Sequence, residues 1–373
     1  MIMRNSGYCR LLLLILPPLA HVACGWGAVR AVDYSVRPIA IAPFGSTVLD
    51  RSKAFAETFC STLPHTDNGK WGACGPYLDA QVTSPPPVSS PIETRLKVML
   101  VGGAFSECFE TKGLYVFDTS LKHLESHGVV FGPRLSVGGT STPEENAKLI
   151  AKYLDDNPGE YIAIGHSKGA VDLMAAIQNH PTARTSIKAL VSVAGAIGGS
   201  RLADLGVSLG IQGFRDAVLK SGLGRCEIVD HGGIESLSRK VRYDALRAWN
   251  PPPTLRSYSI VAVSSEKNTS KPLHTMWERN SFYSIDQDSH IIAEEAIVPG
   301  SEFLGIVNAD HWAIALPMSE HPLTKDRVDR NPFPRTALLE AIVRYVTAVN
   351  RGTSSDAGLD ASPAQPRGGS IRE

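Results

Sequence analysis

From about residue 96 onward, short continuous apolar runs alternate with stretches in which apolar residues recur every three or four positions. Residues 96–101, 161–164, 189–194, 258–263 and 303–307 show no polar alternation, the pattern of strands buried on both faces. Between them, Ala147, Ile150, Ala151 and Leu154 lie at helical spacing behind Thr142-Pro143-Glu144-Glu145, and Asn157-Pro158 ends the run. The threonine, proline and glutamate at those offsets are a helix-start signal. Ala170, Leu173, Met174 and Ile177 mark a second helix, stopped before Pro181, and Leu338, Leu339, Ile342 and Val346 stripe a last one. Buried strands with helices between them predict an α/β architecture, a mostly parallel central sheet flanked by helices. Residues 198–254 interrupt this rhythm with Gly-rich and helical pieces and read as a cap-like insertion over a site.

The ends of the chain follow other patterns. Arg4 and Arg10 precede a run of leucines and isoleucine broken by Pro17-Pro18, so residues 1–31 read as a secretory signal peptide. Val22-Ala23-Cys24 also resembles part of a lipoprotein signal, which would give membrane association through a lipidated Cys24. Residues 32–92 form an N-terminal segment ending in the stiff Pro-rich stretch 84–91, and residues 93–350 form the main domain. Residues 351–373, rich in Gly, Ser, Pro, Asp and Arg, read as a disordered tail, since they cannot bury enough surface to offset ordering entropy.

Composition narrows the class. The chain has 373 residues, 37 basic and 37 acidic, with 43% hydrophobic and 20% charged, which excludes a collagen-like or fully disordered protein. A formal net charge of zero argues against a nucleic-acid partner. Export would place Cys60, Cys74, Cys108 and Cys226 in an oxidising compartment, where an even number is consistent with two disulfides. Cys60 and Cys74 span a polar, Gly-containing segment and are the most plausible pair, closing a loop that contributes about 3 kcal/mol. Cys226 is the partner offered for Cys108. No CxxC or HExxH spacing exists, so a zinc site finds no support. Asn268-Thr269-Ser270 is a glycosylation sequon, meaningful in a eukaryotic secretory pathway.

Candidate chemistry centres on Gly165-His166-Ser167-Lys168-Gly169, the chain's single G-x-S-x-G. It follows a buried strand and opens a helix, the setting in which a sharp turn lifts a serine hydroxyl clear of the backbone. Serine needs a base. His311, after the last strand, is the best placed, with His290, His274 and His321 as competitors. Asp288 is the first choice for a carboxylate that orients the imidazole and Asp286 the second, while Asp310 more naturally anchors its loop. The N–H of Lys168, at a helix N-terminus, and that of Ala104, in the turn after Gly102-Gly103, are the candidate oxyanion donors, with Phe105 next.

Taken together, these residues resemble the α/β-hydrolase superfamily, in particular its lipase- and esterase-like members. The likeness covers residues 96–349 and rests on the Gly102-Gly103 turn, Gly165 to Gly169, Ser192-Val193-Ala194-Gly195-Ala196 and Asn308-Ala309-Asp310-His311-Trp312. The segment from Phe59-Cys60 to Tyr77-Leu78 is similar to poorly characterised exported bacterial hydrolases. The resemblance implies a serine hydrolase of carboxylic esters, with Ser167 as nucleophile, His311 as base, a small-molecule or lipid ester as substrate and no cofactor. Two positions depart from the family pattern. The acid usually stands before glycine, whereas Asp288 precedes Ser289, and Lys168 replaces the Met or Gln frequent in lipases, adding a cation near the site or facing solvent. The alternative is a non-catalytic envelope binding protein on the same scaffold.

Overall fold

Six parallel strands form one sheet in the computed structural model, which describes residues 48–79, 82, 85–208, 232–322 and 324–356. The leader with Cys24, the 209–231 stretch with Cys226, and the tail beyond Asp356 lie outside the described residues. Strands β1 (Leu49–Asp50), β2 (Lys97–Val101), β3 (Tyr161–His166), β4 (Ile187–Val193), β5 (Arg256–Val263) and β6 (Glu302–Asn308) stand in the order β1-β6-β5-β4-β3-β2. Every adjacent pair is parallel, so the loops leaving β2, β3 and β6 open on one rim. Helices α1 (Ser52–Thr62), α2 (Ser106–Glu110), α3 (Leu121–Ser126), α4 (Pro143–Asp156), α5 (Lys168–Asn179) and α6 (Pro181–Ser186) precede β4. A long helix, Arg335–Asp356, follows β6 and runs past the boundary at 350 drawn from composition.

The strands are apolar because helices cover both faces. Val98, Ile162, Ile164 and Val191 join one core with Phe55 and Phe59 of α1 and Leu338, Leu339 and Ile342 of the last helix. The alternate residues Met99, Val101, Ala163 and Leu190 join another with Ala147, Ile150 and Leu154 of α4 and Ala170, Leu173 and Ile177 of α5. The start signal of α4 acts as its residues predict. Thr142 Oγ1 accepts from the Glu145 N–H at 3.3 Å, and Glu145 Oε2 accepts from the Thr142 N–H at 3.2 Å.

The segment before the Pro-rich stretch corrects the sequence reading, which sets it apart from the main domain. It adds β1 to the sheet edge beside β6, and α1 lies in the main core. Further on, Leu78 bridges Val307, and the Asn308 N–H donates to the Tyr77 carbonyl at 2.9 Å. Phe55 and Phe59 are fully buried, and apolar area of that size is not left in water when a sheet face is open to receive it. Cys60 and Cys74 are disulfide-bonded, tying the end of α1 to this strap. Replacing Phe59 with alanine should therefore lower the unfolding free energy of the whole domain by about 3 to 5 kcal/mol in a single denaturant transition. A loss below 1 kcal/mol would show the segment to be detached.

Candidate active site

Close approach of three backbone segments shapes the turn after β3. A Cβ on Gly169 would lie 2.3 Å from the Val101 carbonyl oxygen, and one on Gly165 would lie 2.4 Å from the Ala170 nitrogen. Only hydrogen fits at both positions, so α5 seats directly on the end of β2. Ser167, between them, takes φ 56° and ψ −124°, a conformation that costs an L-residue about 1 to 3 kcal/mol. That geometry turns the hydroxyl toward the rim. A Cβ on Gly103 would stand 2.7 Å from Ser167 Cβ, so the turn after β2 lies against the serine.

Lys168 neither faces solvent nor adds a cation to the site, in contrast to both expectations. Its side chain is fully buried beneath α5, and Nζ donates to Asp172 Oδ1 and Oδ2 at 2.7 and 2.9 Å. Asp172 stands one helical turn on, on the same face, and also accepts from Asn146 Nδ2 at 2.8 Å. Burial pushes the Asp172 carboxyl up to about 6, with Lys168 pulling the other way. The Lys168 main chain stays at the site. Its N–H and that of Ala104 have no acceptor among the described residues, and Ala104 and Ser167 line the same cavity.

The imidazole against Ser167 belongs to His311. Its Nε2 lies 2.8 Å from Ser167 Oγ, and its Nδ1 lies 2.7 Å from Asp288 Oδ2. The His311 N–H also donates to the Asp288 carbonyl at 2.9 Å, so both main chain and side chain hold the pair in place. Asp288 Oδ1 accepts from the His290 and Ile291 N–H groups at 2.9 and 2.8 Å. Burial pushes His311 down to about 3 and Asp288 up to about 6, the latter opposed by the His290 ring and those two amides. At neutral pH the imidazole is uncharged and the carboxylate ionised, the state in which Nδ1–H donates and Nε2 is left to accept.

Ser289 has φ 83°, the left-handed region in which glycine is unstrained. Ser289 thus keeps a backbone bend that glycine would make without strain. Ser289 is held there by Gln287, whose Oε1 accepts its N–H, and by Asn280, whose Nδ2 donates to its carbonyl at 3.0 Å.

The remaining candidates fall into place around this line. Asp310 anchors its loop: Oδ2 accepts from the Ser270 N–H and hydroxyl, and Oδ1 from the Trp312 and Ala313 N–H groups. Asp286 shapes the turn before Asp288, donating its N–H to Ser284 Oγ and accepting from the Ala293 N–H at its carbonyl. His274 packs against Arg330 and the Thr269 carbonyl, and His321 lies near Gly113. His290 is part of the site in another way. Its ring stacks on His311 at 4.5 Å and 7°. On the other side His166, the variable residue before the serine, donates Nε2–H to the His311 carbonyl at 2.9 Å with rings 4.9 Å apart. Burial holds His166 and His290 both at about 3, so His311 sits between two uncharged rings. Sequence reasoning treated His290 as a rival and passed over His166, whose one signal was its place in the G-x-S-x-G string.

Above Ser167 lies a cavity walled mainly by apolar side chains: Phe105 and Phe109 from the loop after β2, Leu202, Ile234 and Leu237 from the insertion, and Leu273 and Trp312. Cys108, on the same loop, is disulfide-bonded. Metal-ligating side chains gather elsewhere, at His65, His123, His127 and Glu340, none of which lines this cavity.

No family model and no curated protein matches the chain. Among solved structures it is similar to a carboxyl esterase of metagenomic origin, with 28% identity and a TM-score of 0.70 over 84% of this chain and 100% of that one. The chain has the α/β-hydrolase fold. More distant matches are the mature lipase BlEst2 of Bacillus licheniformis (15% identity, TM-score 0.45, covering 64% of this chain and 91% of that one) and lipase 1 of Pelosinus fermentans (10%, 0.48, 68% and 99%). In this α/β-hydrolase fold the buried lysine under the elbow is a structural element. Lys168→Met leaves the Asp172 carboxylate buried without its cation and should destabilise the fold by about 3 to 5 kcal/mol in urea unfolding. A change under 1 kcal/mol would mean that the pair contributes little to seating α5.

Proposed function

We propose that this protein of α/β-hydrolase fold is a serine hydrolase that cleaves carboxylic esters through an acyl-enzyme. The observation that carries the proposal is the buried line of hydrogen bonds from Ser167 Oγ through His311 to Asp288, opening into an apolar cavity. Similarity to a carboxyl esterase supports the same reading. Ser167 Oγ attacks the ester carbonyl as its proton passes to His311 Nε2, and Asp288 stabilises the imidazolium that forms. The Lys168 and Ala104 N–H groups hold the oxyanion. Collapse of the tetrahedral adduct breaks the bond to the alcohol, which leaves with the proton from His311. Water, deprotonated by the same imidazole, then releases the acid and restores the serine. The apolar walls suit the hydrocarbon part of an ester.

Export belongs to the same reading. The Cys60–Cys74 disulfide fits an oxidising compartment, and no helix among the described residues is long and apolar enough to cross a membrane.

A fluorophosphonate probe should label the folded wild-type protein and fail to label Ser167→Ala. Absence of wild-type labelling at neutral pH would instead favour the binding-protein alternative. Asp288→Asn should lower kcat by about 10⁴-fold, with Asp286→Asn within a few-fold of wild type; the reverse order would move the acid to Asp286. The pH profile follows from the burial shifts. His311 must be neutral and Asp288 ionised, and with the carboxyl pushed up to about 6 and the imidazole down to about 3, the pair works from neutral pH down to about 6. kcat/KM should be level between pH 8 and 7 and fall as the pH drops through about 6, and an acid limb centred above 7 would contradict this electrostatic picture.

A further inference from the structure

On the sheet face covered by α1 and the last helix, three histidines and a glutamate converge. His65 follows α1, His123 and His127 lie one helical turn apart at α3 and its C-terminal end, and Glu340 belongs to the helix Arg335–Asp356. Glu340 is fully buried. His65 Nε2 lies 3.0 Å from its Oε1, and His123 Nε2 lies 2.7 Å from its Oε2. The His123 and His127 rings are 4.4 Å apart, and the His65 ring is 6.0 Å from each. His127 donates Nδ1–H to the His123 carbonyl at 2.8 Å, which leaves Nε2 as its ligand atom. Arg344 Nε donates to Glu340 Oε1 at 2.7 Å, fixing the carboxylate in the manner of an outer-shell partner.

Internal pairing leaves this cluster incomplete. His65 Nδ1 is buried and has no hydrogen-bond partner among the described residues, a condition that calls for an ion or a water. We propose that His65, His123, His127 and Glu340 bind one divalent transition-metal ion, with zinc the best match. Three imidazoles and one carboxylate are the donor set of a borderline cation rather than of calcium or magnesium, which take oxygen ligands. One ligand atom from each residue lies within 4.8 Å of all the others. Ligands at 2.1 Å from a tetrahedral ion stand roughly 3.4 Å apart, a closure that rotation of the three half-buried imidazoles can supply. Four protein ligands fill the shell, so the site is structural, clamping the N-terminal segment to α3 and to the last helix.

The test uses the full chain without an affinity tag, stripped with a chelator and titrated with zinc chloride in a calorimeter. Wild type should bind one equivalent and unfold several degrees higher with saturating zinc. His127→Gln leaves the two histidine–Glu340 contacts intact, so it should unfold like the metal-free wild type while binding zinc at least about 100-fold more weakly. Glu340→Gln should lose binding as well. Cobalt in place of zinc should give the visible bands of a tetrahedral site in wild type and not in His127→Gln. No binding by wild type, or equal affinity in both variants, would overturn the proposal.

Discussion

The seating of α5 on the end of β2 is the contact on which the site depends. With no side chain at Gly165 or Gly169, helix and strand come within backbone contact, and the residue between them is forced to φ 56°. The strain at Ser167 is tolerated because both flanking elements are deeply buried and cannot relax without opening the core. Lys168 and Asp172 work toward the same end from below, joining the first turn of α5 to Asn146 of α4. Their burial also explains why a lysine can follow the serine without bringing a charge to the rim.

Burial sets the electrostatics of the rim. His311 lies between the rings of His166 and His290, and desolvation keeps all three uncharged. The ionised Asp288 carboxylate, 2.7 Å from His311 Nδ1, is the charged group placed to favour a proton on that ring. Two main-chain N–H groups hold that carboxylate, and Gln287 and Asn280 hold the left-handed Ser289 that bends the chain around it. A serine stands where glycine would be unstrained because this surrounding network over-determines the backbone.

The other side of the sheet is a clamp. The segment leading to the Pro-rich stretch adds the edge strand β1 beside β6 and brings Phe55, Phe59 and a disulfide to that side of the sheet, and His311 follows β6 at the rim. The histidine–glutamate cluster lies at the junction of α1, α3 and the last helix. Support for the strand that leads to His311 thus comes from residues far from it in sequence.

Much of the architecture was legible along the chain, because strands buried on both faces are continuous apolar runs and the capping residues of α4 stand at fixed offsets. The elbow was legible too, since Gly, Ser and Gly must be adjacent in sequence to make so tight a turn. Other features needed tertiary structure. Asp288 and Asp286 are separated by one residue and share every compositional cue, and the loop conformation alone brings one of them to His311. The short β1 and the docking of α1 leave no periodic trace strong enough to outweigh the prolines that follow. His123 and His127 are one helical turn apart, but His65 and Glu340 join them through packing alone, Glu340 from 217 residues beyond His123. Local geometry is written in neighbouring residues, whereas a buried charge or a ligand set depends on which distant surfaces exclude water together, and only the folded chain decides that.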